Sequence, residues 1–156
     1  MSSRVLKPGE GPVAYVVGDE YTIKTSGAES GGAYSLMEAV VPPQGGPPPH
    51  RHSREDEAFY VLEGEVEFSA DGQRTVAGPG SWISLAKGSL HYFKNIGQSP
   101  ARMLILMVPA GLEQFFLEVS QEPGPSSPEN PFGIDAAQIE KMLAAAPRYG
   151  LEIVKP

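Results

Sequence analysis

The chain has 156 residues, 40% of them apolar and 20% charged, which is enough to bury a core without covalent staples. Its net charge of −7 opposes a polyphosphate partner, and with no cysteine it has neither disulfides nor thiolate metal sites. No apolar run approaches the roughly 20 residues of a bilayer span, and Pro8, Gly9, Gly11 and Pro12 break the N-terminus, so the expectation is a soluble, cytoplasmic protein with no nucleic-acid or membrane partner.

The 18 glycines and 16 prolines point to many short strands joined by tight turns. In chain order, "EYTIKTSG" alternates, and "GAYSLMEAVVPP" runs to Pro42 and Pro43. "AFYVLEG" turns near Gly64 into "EVEFSA", where Val66 and Phe68 share one face and Glu65 and Glu67 the other. Asp71-Gly72 is a two-residue hairpin signal that leads into "QRTV". "SWISLA", "HYFKN" and "ARMLILMVP" complete the strand candidates, a spacing that suits an all-β sandwich or barrel.

After residue 120 the character changes. "EPGPSSPENP" reads as a strap, and "DAAQIEKMLAAAPRYG" as a helix over 135–146. Asp135 and Gln138 have capping-box spacing, Ile139, Met142 and Leu143 form an apolar stripe, and Pro147 ends the helix. We expect a single domain over 1–156, with its barrel core at about 20–119, the strap at 120–134 and the C-terminal helix and tail at 135–156.

Two of the three histidines, His50 and His52, stand in an H-x-H step after three prolines. The prolines favour extended backbone, and in a strand both rings then project from one face. Glu57 opens the next strand, and imidazole with carboxylate suits a divalent metal such as iron, manganese, nickel or zinc. The third histidine, His91, lies in "GPGSWISLAKGSLHYFKN", after Gly80 and Gly88 and before Asn95.

In these residues the chain resembles the cupins. His50, His52, Glu57 and Gly64 fall on the family's first motif, and Gly80, Gly88, His91 and Asn95 on its second. There are two departures, both at turn positions: Gln44 stands where the first motif has its leading glycine, and Ala86 where the second has proline. The resemblance covers about residues 34–109. It implies a double-stranded β-helix, or jelly roll, with one divalent metal ion per chain held by His50, His52, Glu57 and His91.

Four protein ligands leave about two positions open on a six-coordinate metal, suited to dioxygen chemistry or enolate capture. With every histidine used as a ligand, proton transfer falls to Glu57 itself, a tyrosine, a lysine or bound water, and Glu57, as a carboxylate able to swing off the metal, is the candidate catalytic base. The two-residue period places Phe59, Val61 and Phe93 on the inward face, as candidate walls of an apolar substrate pocket. "GGPPPHRHSREDEAFYVLEGEVEF" and "VPAGLEQFF" are similar to quercetin-dioxygenase-like cupins. In quercetinases the glutamate ligand takes the flavonol 3-hydroxyl proton, and dioxygen cleaves the heterocycle with loss of carbon monoxide. The expected function is therefore an aromatic enol dioxygenase using dioxygen. The alternatives are a non-redox isomerase or polyketide-cyclase type of cupin, and a non-catalytic small-molecule-binding barrel.

The run "MLILMV" (103–108) is apolar at every position and requires cover on both faces. A barrel core covers one face. A second subunit or the C-terminal segment must cover the other, so we expect a homodimer in which that segment covers either the pocket mouth or the interface.

Overall fold

The computed structural model describes residues 2–154. Within these, the N-terminal half contains β1 (Val13–Val16), β2 (Asp19–Thr25), a short helix α1 (Gly27–Ser30), β3 (Ser35–Val41), β4 (His50–His52), β5 (Asp56–Glu63) and β6 (Val66–Ala70). It continues with β7 (Gln73–Ala77), β8 (Trp82–Leu85), β9 (His91–Asn95) and β10 (Ala101–Val108). The C-terminal part contains α2 (Leu112–Val119), α3 (Ala136–Ala145), a 3₁₀ turn (Ala146–Tyr149) and β11 (Leu151–Ile153).

The strands form two antiparallel sheets, ordered β1-β2-β3-β10-β5-β8 and β11-β4-β9-β6-β7, in a jelly roll. Alternation places the core between them. Met103, Ile105 and Met107 of β10 meet Met37, Ala39 and Val41 of β3 and Phe59 and Val61 of β5, all at most 2% exposed. The Asp71-Gly72 signal forms the β6–β7 hairpin, with φ of 49° and 85° and Ala70 opposite Gln73. Positive φ at both turn residues matches the twist of the flanking strands.

Gln44, in the position of the motif glycine, has φ of 67°, a left-handed conformation that is costly for a residue with a Cβ. Its N–H donates to the Asn95 carbonyl at 2.8 Å, and the Asn95 N–H donates back to Gly45 at 3.0 Å. These bonds hold the turn against the end of β9.

One pair of alternatives is narrowed and one expectation is corrected. The outward face of β10 is not covered within the chain: Leu104 and Leu106 are half-buried and Val108 is 44% exposed. Of the two places expected for the C-terminal segment, it takes the barrel mouth. The helix also presents a different face: α3 buries Gln138, Met142 and Ala145, whereas Ile139 is 38% exposed. The rotation has a polar cause. The Gln138 amide donates from Nε2 to the Tyr15 and Val119 carbonyls (2.8 and 2.9 Å), and its Oε1 accepts from the Val17 N–H (3.2 Å). A glutamine can be buried when its hydrogen-bonding groups are met in this way.

Candidate metal centre

Three strands deliver the ligand residues. β4 carries His50 and His52 on one face, and β9 places His91 opposite His50. Glu57 comes from β5 in the facing sheet. β4 itself is held at both ends of its width. β11 pairs along it, with Leu151 opposite His52 and Ile153 opposite His50, and the Gly88 N–H donates to the His52 carbonyl at 2.7 Å. The turn that precedes His91 thus also ties down the H-x-H strand.

One ligand atom from each of His50, His52, Glu57 and His91 lies within 4.8 Å of the others, and all four residues are buried. The Nδ1 atoms of His50 and His91 sit 2.9 and 3.1 Å from the Pro48 and Ser89 carbonyls. A carbonyl only accepts, so each Nδ1 carries the proton and each Nε2 turns a lone pair inward. Glu57 Oε2 lies 3.3 Å from His91 Nε2 and 2.7 Å from His52 Nε2, and the latter is out of line for a hydrogen bond. Acceptors that face one another at these distances repel unless a cation or proton lies between them. The residues present therefore fit a divalent metal.

The electrostatics agree. Burial, helped by the charges of His91 and His52, pushes the His50 imidazole down to about 3, so it is neutral and able to ligate. Burial works against the Glu57 carboxylate, but the neighbouring His52 and His91 imidazoles outweigh it and hold Glu57 well below the usual carboxylate range. Burial likewise works against charged His52, which Glu57 and then Glu55 raise above the ordinary imidazole value.

His50, His52 and Glu57 line an apolar cavity of about 50 Å³, room for a few waters. Phe93 is part of its wall. Phe59 and Val61 are not. Both are fully buried, and Phe59 packs its ring 5.0 and 5.7 Å from those of Phe68 and Phe93. They follow Glu57 along β5 into the closed depth of the barrel, where the inward face is core.

Much of the wall comes from places the strand pattern did not indicate. Tyr21 enters from β2, Leu112, Phe115 and Phe116 from α2, and Met142, Leu151 and Ile153 from the C-terminal segment. α2 was legible, since Leu112, Phe115, Phe116 and Val119 follow the i, i+3, i+4, i+7 helical period. Nothing in the local pattern placed β11 beside the histidine strand.

Comparison with known proteins agrees with this architecture. A family model described as the cupin domain matches residues 37–108. The chain is 25% identical over 154 residues to the quercetin 2,3-dioxygenase of Bacillus subtilis (strain 168), covering 97% of this chain but only 44% of that protein. Among solved structures, KdgF from Halomonas sp. superposes with a TM-score of 0.65 at 17% identity, over 72% of this chain and 99% of that one. The polyketide cyclase RemF from Streptomyces resistomycificus gives 0.59 at 23% identity, over 69% and 80%. At such identities the structures speak for the fold alone. Both histidine motifs, the jelly-roll topology and these relatives agree that residues 37–108 carry a cupin domain.

Proposed function

We propose that the protein is a metal-dependent dioxygenase acting on an aromatic enol or enediol, with flavonols as the first candidates. The observation that carries this reading is the His50, His52, Glu57 and His91 cluster opening onto a cavity walled by Phe93, Phe115, Phe116 and Tyr21. The likeness to a quercetin 2,3-dioxygenase along nearly the whole chain supports it. His50, His52, Glu57 and His91 would hold a divalent metal, which would supply Lewis-acid chemistry at the cavity. Both imidazole contacts to Glu57 fall on Oε2, which leaves Oε1 to accept the substrate's hydroxyl proton. The aromatic walls orient a flat ring system and keep bulk water from it. The balanced reaction of a flavonol takes up one dioxygen, places both oxygen atoms in the ester product and releases carbon monoxide.

Pockets for ligands of this size span about 300–1,000 Å³, and the cavity has about 50 Å³. Substrate entry therefore requires the roof of α2, α3 and β11 to swing outward. The reading is tested by mixing protein loaded with iron, manganese, nickel or cobalt with a flavonol and catechol panel. Dioxygen uptake with bleaching of the long-wavelength flavonol band is expected. No uptake with any pairing would overturn it in favour of the non-redox isomerase or cyclase reading.

The outward sheet face supports a homodimer as part of the same proposal. Leu36, Leu104 and Leu106 adjoin the exposed Tyr60 and Trp82 there, and a two-fold pairing would bury this patch on both chains.

A further inference from the structure

Asp19 and Tyr21 lie two residues apart at the start of β2, and both are buried in the barrel. Asp19 is fully buried, and among the described residues no basic side chain hydrogen-bonds to it and its Oδ1 has no partner. Oδ1 lies close to Gly45, where an added Cβ would come within 3.0 Å of it. Its other oxygen, Oδ2, is 3.1 Å from Tyr21 Oη. Tyr21 in turn forms part of the cavity wall with His50, His52 and Glu57, its ring edge-on to Phe116 at 4.7 Å. Packing alone would be served better by apolar side chains at both positions, since a buried carboxyl with an unmet oxygen lowers stability.

Burial pushes Asp19 up to about 8 against the opposing hydrogen bond of Tyr21, so the carboxyl keeps its proton at neutral pH. Burial likewise raises the Tyr21 hydroxyl, with the charges of Asp19 and Glu57 adding to it, so Tyr21 is protonated too. Two hydroxyl hydrogens then share one short contact. The Tyr21 O–H donates to Asp19 Oδ2 in this structure; with the Asp19 proton on Oδ2 the bond can reverse, which frees the Tyr21 hydrogen for a ligand in the cavity. An ionised Asp19 would instead draw that hydrogen to itself.

We propose that Tyr21 is the hydrogen-bond donor that fixes an anionic oxygen of the small molecule bound at the histidine–glutamate centre, and that Asp19 is a positioning residue that aims the Tyr21 hydroxyl by donating to it. The ligand class is an enolate or catecholate, with one oxygen at the metal and a neighbouring oxygen at Tyr21. This deepens the proposed function and rests on its premise that the centre takes a metal and an aromatic oxygen ligand.

The test is equilibrium binding rather than turnover. Full-length protein loaded with cobalt(II) is titrated with 4-nitrocatechol under argon, and the visible spectrum reports both affinity and the ionisation state of the bound catechol. Cobalt content is measured for every variant. Tyr21→Phe keeps the ring and should weaken binding about tenfold, the worth of a hydrogen bond to a charged oxygen, with a shifted bound spectrum and unchanged cobalt content. Asp19→Asn can still donate to Tyr21 Oη and should bind within about twofold of the wild type. Asp19→Leu cannot donate, and should approach Tyr21→Phe. Equal affinity and an identical bound spectrum for Tyr21→Phe and wild type would overturn the proposal while leaving the proposed function standing. Failure of the cobalt-loaded wild type to bind the catechol at all would overturn both. Loss of binding in Asp19→Asn as large as in Asp19→Leu would overturn the role given to Asp19.

Discussion

Replacing Gln138 by Met keeps the volume of the side chain and removes the polar pin of the roof. In the native chain this amide serves the carbonyls of Tyr15 and Val119 and the N–H of Val17, joining α3 to β1 and to the end of α2. The Tyr15 carbonyl would keep the Gln121 N–H at 3.0 Å, so the loss falls mainly on Val17 and Val119. At about 1.5 kcal/mol for each buried group left unpaired, the closed roof loses about 3 kcal/mol. That raises the population of its open form about a hundredfold and remains within the total stability of an ordinary domain, so the barrel stays folded. Hydrogen exchange read by mass spectrometry should show faster exchange in peptides covering 112–119 and 136–153, and no change in β5, β6 and β10. Acceleration spread evenly over the chain would mean that Gln138 supports the whole fold. No change in the roof would mean that the pin carries no load. Either result refutes the reasoning.

Replacing His50 or His91 with Ala should strip most of the metal and leave a folded barrel, whereas Glu57→Gln should cost less in occupancy than in turnover. Metal analysis with circular dichroism checks this. Gln44→Gly removes a left-handed strain worth about 1 kcal/mol and should raise Tm by about 2–4 °C in a chain of this size, as read by calorimetry. The raised Asp19 gives a signed pH effect. Between its unfolded value near 3.8 and its folded value of about 8, the native state binds more protons than the unfolded one, so stability falls as pH rises through that window. Asp19→Asn lacks this term, and its urea midpoint should gain on the wild type between pH 5 and pH 8. Sedimentation of the full-length chain should give twice 16.6 kDa, and Trp82→Glu on the exposed sheet face should shift it toward the monomer.

The candidate ligand cluster was legible because its chemistry is written locally. The strand period puts His50 and His52 on one face, Glu57 opens the next strand, and turn residues frame His91. The strands themselves follow from alternation and from turns such as Asp71-Gly72, all short-range effects. Parity along β5 identified which side chains point inward but not how deep they sit. Phe59 and Val61, at the parity of Glu57, therefore became core rather than cavity wall. Only the tertiary structure decided the remainder of the site. β11 pairs with the histidine strand from about a hundred residues away, and Gln138 turns α3 so that Met142 faces the cavity. Asp19 became a buried acid beside Tyr21 only when the barrel closed over β2. Burial, and the proton affinities it sets, depends on every element packed around a group, whereas a local pattern reports only the neighbours along the chain.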